Sequence, residues 1–436
     1  IEIAKKIEGC ARHVSVHAAG VVISPTAMSD FAPLQYDPKS EGLSEGKTGK
    51  IITQYDMYSI EEAGLLKLDF LGIKNLSILA DAVARVQKLE GVTVDLDNIP
   101  LNDKKTFEML ARGETIGVFQ LNGDGMTRYL KDLRPSTIHD INAMVALYRP
   151  GPMESIPQYI ERKHNPRLVS YLDPRMEEIL KNSCGVLTYQ DDVLLIAIKI
   201  AGYSWTEADK LRKAMGKKIP KEMQEQKEKL IQGAIKNGLS KDKADRLWGL
   251  IEPFAAYGFN KSHAASYGRL AYQTAYMKAN FPAIYMSSVL TADSGDVEKI
   301  GETITECKRM DIPVLPPSIN ESYSAFTVVK AEKSEIRNPK SETPQESKLP
   351  TGQANSKSEI QNSETKQGDK IRFGLTTIKN FGEGISHSII EERKRGGKFK
   401  SLSDFLRRIK DRNLNKKSLE ALTMSGAMDE FGERGQ

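Results

Sequence analysis

Up to about Asn75 the apolar positions come in short runs broken by glycine and proline, among them "HAAGVVISP", "GKIITQYD" and "LLKLDFLG". Runs of this length between turn formers predict short β-strands. From about Leu76 to Ala292 the spacing changes to threes and fours. "NLSILADAVARVQKLEG" draws one apolar stripe along a helix that Gly91 terminates. The change of period predicts a domain boundary near Asn75, with strands over 1–75 and helices over 76–330. Residues 331–370 are nearly free of large apolar side chains and rich in Ser, Lys, Glu, Gln and Pro. Such a stretch cannot bury enough surface to offset its ordering entropy, so a disordered insert is expected there. The flanking runs "SAFTVV" and "IRFGLTTI" pair as a hairpin if the insert loops out, and 371–436 forms a small helical unit. The fold class is α+β, predominantly helical.

Within "LLKLDFLG", alternation puts Leu66, Leu68 and Phe70 on one face and Lys67 with Asp69 on the other. In a strand that reads as buried, a carboxylate is costly unless paired or metal-bound. Two readings stay open: an ion pair on a solvated sheet face, or a metal ligand beside a cation.

Composition narrows the class. A chain of 436 residues predicts two to four domains. Its 63 basic and 58 acidic residues give a net charge of +5, which permits a nucleic-acid partner without requiring one. No run of about 18 apolar residues predicts a membrane span. Cys10, Cys184 and Cys307 are isolated, which argues against a zinc site or a disulfide framework and for a reducing cytoplasm. The opening "IEIAKKIEGCARH" and the ending "FGERGQ" suggest a piece of a longer protein.

Four segments carry candidate chemistry. "ADKLRKAMGKKIPK" gathers Lys210, Arg212, Lys213, Lys217, Lys218 and Lys221 with no acid after Asp209, either a solvated face or a phosphate-binding helix end. In "AAYGFNKSHAASYGRLAYQTAY", Asn260 or Ser262 caps a helix whose first turn presents Lys261 and His263 to a phosphate, with tyrosines near a base or sugar. An aromatic core stripe explains the tyrosines equally well. "ALYRPGPMES" holds Arg149 ahead of a rigid turn. "TIKNFGEGISHSIIEERKRGG" reads as helix, tight turn at Gly382 and Gly384, then helix, a helix-hairpin-helix pattern whose amides bind backbone phosphates. "VDLDNIP", with Asp95 and Asp97, reads as turn and capping chemistry despite its metal-like spacing.

Taken together, "HAAGVVI", "KLDFLGIKNL", "TIGVFQLNGDGM", "ALYRPGP", "GVLTYQDDV", "AGYSWTEADKLRKAMGKK", "YGFNKSHAASY" and "NFGEGISHSIIEER" resemble the alpha-subunit family of bacterial DNA polymerase III, the C-family replicative polymerases. The resemblance implies the C-terminal part of a polymerase-beta-like palm over 1–75, fingers over 76–330 and a helix-hairpin-helix region over 371–436. It implies nucleotidyl transfer from a dNTP to a primer 3′ hydroxyl with two magnesium ions. Asp69 matches the family's third catalytic, metal-binding aspartate and Lys67 the lysine two residues before it, which favours the metal reading. Arg212, Lys213, Lys217, Asn260, Lys261 and His263 are then expected to bind nucleotide. Arg149, Lys379, Gly382 and Gly384 are expected to bind DNA. The implied partners are primer-template DNA, dNTPs, a sliding clamp and other replicase subunits, with no membrane. The family's paired catalytic aspartates and its PHP domain belong to upstream segments that this sequence does not contain, so the polypeptide as given is expected not to polymerise. A non-catalytic DNA-binding protein and an error-prone translesion paralogue remain as alternatives.

Overall fold

The structure, a computed structural model, describes residues 2–10, 15–38, 49–217, 220–252, 258–330 and 368–434. Most of the expected insert, 331–367, lies outside them, as does the side chain of Lys217. The chain divides into two compact units, 1–74 and 75–436.

The first unit holds α1 (Glu2–Ile7), β1 (Gly20–Ile23), β2 (Leu34–Tyr36), β3 (Ile51–Thr53), α2 (Met57–Glu62) and β4 (Leu66–Asp69). β1 pairs antiparallel with β4, with Gly20 opposite Asp69 and Val22 opposite Lys67; β2 pairs antiparallel with β3. Asp56 caps α2 by accepting the amides of Tyr58 and Ser59. Among the described residues Ala32, Ile60 and Leu65 form its buried cluster, with Val22, Met28 and Phe31 packed against them.

The expected burial of β4 is overturned. Leu66, Leu68 and Phe70 are exposed, as are Val21 and Ile23 on the paired strand, while the Lys67 side chain is only 16% exposed. A two-stranded sheet with few covering elements can bury one face, and here that face carries Val22 and Lys67.

The second unit begins with α3 (Lys74–Glu90), α4 (Lys104–Ala111), α5 (Asp124–Leu133), α6 (Ile138–Leu147), α7 (Ile156–His164) and α8 (Glu177–Leu180). It continues through α9 (Gln190–Ala201), α10 (Trp205–Lys217), α11 (Pro220–Lys236), α12 (Lys241–Ile251) and α13 (Lys261–Asn280). α14 (Pro282–Ala292) and α15 (Val297–Arg309) follow. Caps are explicit: Thr137 and Asp140 form a capping box on α6, Ser240 caps α12 and Asp296 caps α15. One apolar core joins α4, α5, α6 and α13; another joins α9 to α12. α13 lies close against α6: a Cβ on Gly268 would stand 1.9 Å from Asn142 Oδ1, so only glycine fits.

The buried cation Lys278 ties α13 to α15. Its ammonium donates to Glu306 at 2.5 Å and to the carbonyls of Glu114 and Ile116 at 2.9 and 2.8 Å, filling its three donor positions. Arg309 supports Glu306 at 2.7 Å.

β5 (Val314–Leu315), β6 (Thr327–Val329) and β7 (Lys370–Arg372) form a sheet in the order β5-β7-β6. β6 and β7 pair antiparallel, as their flanking runs predict, and β5 adds a parallel edge that the pattern does not announce. Lys370 belongs to β7 and Lys330 bridges Asp369 at 2.9 Å, so the expected insert ends earlier than its composition suggests. α16 (Glu383–Gly396), α17 (Leu402–Arg408) and α18 (Lys416–Met424) close the chain around their own core, which includes Ile389, Phe405 and Leu422. The fold is predominantly helical. No helix among the described residues is long and apolar enough to cross a membrane.

Candidate functional site

Asp69 ends β4. Lys67, two residues earlier on the same face, donates to Asp69 Oδ1 at 2.9 Å and to Oδ2 at 3.1 Å. That hydrogen bond holds the Asp69 carboxyl below the usual carboxylate range. His17 stands beside them, its Nδ1 3.8 Å from Asp69 Oδ1 while accepting the Ala19 amide at 3.2 Å. The chain pattern does not single out His17; the β1–β4 register brings it to the aspartate.

Magnesium takes about six oxygen ligands. Here one carboxylate is available, both its oxygens face an ammonium, and the described residues contain no group of three or more metal-ligating side chains. These residues therefore do not by themselves fit a magnesium pair. Asp95 is a turn former as its spacing predicts, accepting the Asp97 amide at 2.9 Å and the Asn98 side chain at 2.7 Å.

The start of α13 is the richest site in the second unit. Asn260 caps it, accepting the His263 amide at 3.0 Å and the Ser262 hydroxyl at 2.6 Å. The Lys261 amide donates to Asp191 at 2.7 Å. The Lys261 ammonium lies 5.5 Å from the Tyr189 ring centre and 3.8 Å from Asp192 Oδ1, and remains about half exposed. Asp192 is buried; its Oδ2 accepts the amides of Thr188 and Tyr189, and its Oδ1 has no hydrogen-bond partner among the described residues. Burial pushes its carboxyl up to about 6. Asp191 and Asp192 are the acids in "GVLTYQDDV", and an acid pair ahead of an apolar run was their only sequence signal.

Phe259 joins this group from behind. It bridges to Tyr189, stacks edge-on against His263 at 5.1 Å, and carries the Arg149 guanidinium 3.7 Å above its ring centre. His263 continues the column to Tyr267 at 4.2 Å, and Tyr267 to Phe119 at 5.2 Å. Arg149 therefore lies with Lys261 and His263. The expectation that tyrosines approach a base or sugar is not met by Tyr272, which is buried and donates its hydroxyl to the Pro100 carbonyl at 2.6 Å.

On α10, Leu211 and Met215 are buried as their spacing predicts, and Lys210 and Lys213 are exposed. Asp209 changes the charge balance: Arg212 donates to it at 2.7 Å and Lys213 at 2.9 Å. The one-signed stripe expected from the sequence is thus partly neutralised by the residue that opens it. α9 links the two regions, packing along α10 while its first turn holds Lys261.

The glycine geometry before α16 differs from expectation. Gly382 is an extended N-cap and Gly384 is already helical, so neither forms the tight turn; Asn380, with φ +66°, makes it. A single 3-10 turn, Leu375–Thr377, stands where an α-helix was expected upstream. Neither glycine is sterically required, since a Cβ on Gly382 meets nothing and one on Gly384 meets only Asn413 at 3.8 Å. Lys379 is exposed beside them.

Three family models match: the bacterial DNA polymerase III alpha NTPase domain over 1–72, the alpha-subunit finger domain over 75–238, and a helix-hairpin-helix motif over 311–436. The chain is 44% identical to DNA polymerase III subunit alpha of Thermus aquaticus, covering all of this chain and 32% of that protein. It is 40% identical to the Deinococcus radiodurans subunit and 39% identical to that of Bacillus subtilis, covering 30% and 34% of them. The chain thus spans about a third of the length of the curated relatives it matches. With all three domain models in order and similarity running end to end, the chain belongs to the bacterial DNA polymerase III alpha-subunit family.

Proposed function

We propose that this chain supplies the C-terminal part of the palm, the fingers and the helix-hairpin-helix region of a replicative DNA polymerase, whose whole protein joins a dNTP to a primer 3′ hydroxyl. The observation that carries this reading is Asp69, an ionised carboxylate at the end of a strand, paired among the described residues with Lys67 and with His17 beside it. Asp69 contributes one ligand to the two magnesium ions such a reaction uses, and the other ligands come from outside the described residues. Lys67 limits the charge built up around that carboxylate. Lys261 and His263 bind the triphosphate at the capped start of α13, where the helix dipole favours an anion, and Asn260 fixes the turn they stand on. Arg212 and Lys213, partly neutralised by Asp209, add a second cationic edge from α10. Lys379 and the open amides of the first α16 turn, at Gly382 and Gly384, contact DNA phosphates without reading sequence. A sliding clamp and other replicase subunits are partners of the whole protein.

For this chain on its own, the single carboxylate favours a second reading, DNA binding without chemistry. Primer extension and salt-dependent DNA binding test both. The whole protein should extend a primer with magnesium and all four dNTPs. This chain should bind primer-template weakly, with affinity falling steeply as salt rises because each phosphate contact releases counterions. Failure of the whole protein to extend any primer would sink the polymerase reading; extension by this chain alone would sink the account of Asp69 as one ligand among several.

A further inference from the structure

Several arginines of this protein spend their guanidinium groups on hydrogen bonds to the protein itself. Arg85 donates to the Phe326 carbonyl at 2.6 Å and to Asp81 at 2.7 Å; Arg162 donates to the Gly185 carbonyl at 2.8 Å. Arg408 meets Glu392 at 3.0 Å and the Gly397 carbonyl at 2.9 Å. Arg149 is different. It is half-buried, yet among the described residues no hydrogen bond or ion pair engages its guanidinium, which lies 3.7 Å from the centre of the Phe259 ring. A guanidinium held against a ring face still carries N–H donors in a fork that matches two oxygens of a phosphate. Burial lowers its pKa, so an anion would relieve an uncompensated cation.

Its position is fixed from both sides. Arg149 follows α6 directly, its amide bonded to the Leu147 carbonyl at 2.7 Å, and its own carbonyl accepts the Met153 amide across the Pro150–Pro152 turn at 3.1 Å. Phe259 is anchored by the Gln190 amide at 2.9 Å. On the same support stand His263, and Lys261 over Tyr189. The nearby acids are Asp191, which accepts the Lys261 amide, and Asp192, buried below the Lys261 ammonium. Lys379 belongs to a different core, that of α16 to α18. The sequence grouped Arg149 with the DNA contacts; the geometry groups it with the nucleotide contacts.

We propose that Arg149 binds a phosphate of the incoming nucleoside triphosphate, sharing that polyphosphate with Lys261, rather than the DNA backbone. This rests on the polymerase reading above. A purely structural role, a cation held over a ring face, is the competing account.

The test uses the whole protein and two measurements: steady-state primer extension, and equilibrium binding of a fluorescent deoxynucleoside triphosphate without turnover. R149A should raise the KM for dNTP by about tenfold or more, the loss of one charge-assisted phosphate contact, while the primer-template Kd stays within about twofold. R149K should recover part of the loss, because it restores charge without the fork. R149A/K261A should raise KM by less than the product of the single effects, because both side chains hold one ligand. Should R149A lose its thermal transition, R149Q, which keeps a planar amide over Phe259, supplies the same comparison. A weakened primer-template Kd with unchanged KM would overturn the proposal in favour of DNA contact, and unchanged values of both would overturn it in favour of a structural stack. If the protein binds triphosphate but never extends a primer, the polymerase reading fails, while a loss of that binding in R149A would still support Arg149 as the phosphate contact.

Discussion

The two units differ in how they hold their chemistry. The first places Asp69, Lys67 and His17 on a two-stranded sheet backed by three buried apolar residues, with Leu66, Leu68, Val21 and Ile23 exposed on the other side. The second places Lys261, His263 and Arg149 on a deep helical core crossed by α13. Burying one aliphatic side chain contributes about 2 kcal/mol, while ordering a residue costs about 1 to 2, so three buried residues cannot organise seventy on their own. Among the described residues, the candidate chemical residue therefore stands on a thin support and the candidate binding residues on a deep one. Positioning a charged ligand requires a rigid frame, which the α13 core provides.

The sharpest way to break that comparison is Asp69→Asn in the whole protein. Turnover should fall by about a thousandfold or more while the primer-template Kd is unchanged, if Asp69 acts as the proposed metal ligand and not as a DNA contact. Near-normal extension would remove Asp69 from the chemistry.

The rigidity of the second unit is tested by Lys278→Met. The change leaves Glu306 buried with Arg309 as its remaining partner, and strands the Glu114 and Ile116 carbonyls. Denaturant unfolding should show a loss of about 3 kcal/mol. A loss below about half a kcal/mol would show that the core tolerates relaxation there.

Asp192→Asn should act more gently and with a defined pH signature. The folded carboxyl titrates near 6 against an ordinary 3.8, so the folded state binds the extra proton between those values and stability falls as pH rises through that window. Asparagine keeps an oxygen for the Thr188 and Tyr189 amides. The variant should therefore melt about the same as or a few degrees above the parent at pH 8, with the difference disappearing near pH 4. A parent that instead gains stability from pH 4 to 6 would show that the Lys261 charge outweighs burial.

The smallest effect belongs to the open sheet face. Leu66→Ser should change the stability of this chain by no more than about 0.5 kcal/mol, since the side chain is 57% exposed. A loss of about 2 kcal/mol would mean that the face is covered in solution.

Much of this was legible in the residues. The period change near Asn75 coincides with the division of the chain into two units, the β6–β7 pairing follows its two apolar runs, and Asn260, one of the two cap candidates with Ser262, caps α13. These are local matters: a side-chain oxygen three residues from an amide, or alternation against a period of 3.6, depends on neighbours in the chain. Local rules misjudged the glycines before α16, because a GxG spacing is compatible with helical as well as turn conformations, and Asn380 took the left-handed position.

Tertiary structure alone decided which face of β4 is covered, that His17 stands beside Asp69, and that Arg149 rests on Phe259, one hundred and ten positions along the chain. The sequence determined which residues carry charge, where the helices start and to which family the chain belongs. It did not determine which charges remain available to a ligand. That depends on pairings through space, and a cation with no protein partner is identified only when everything packed around it is known.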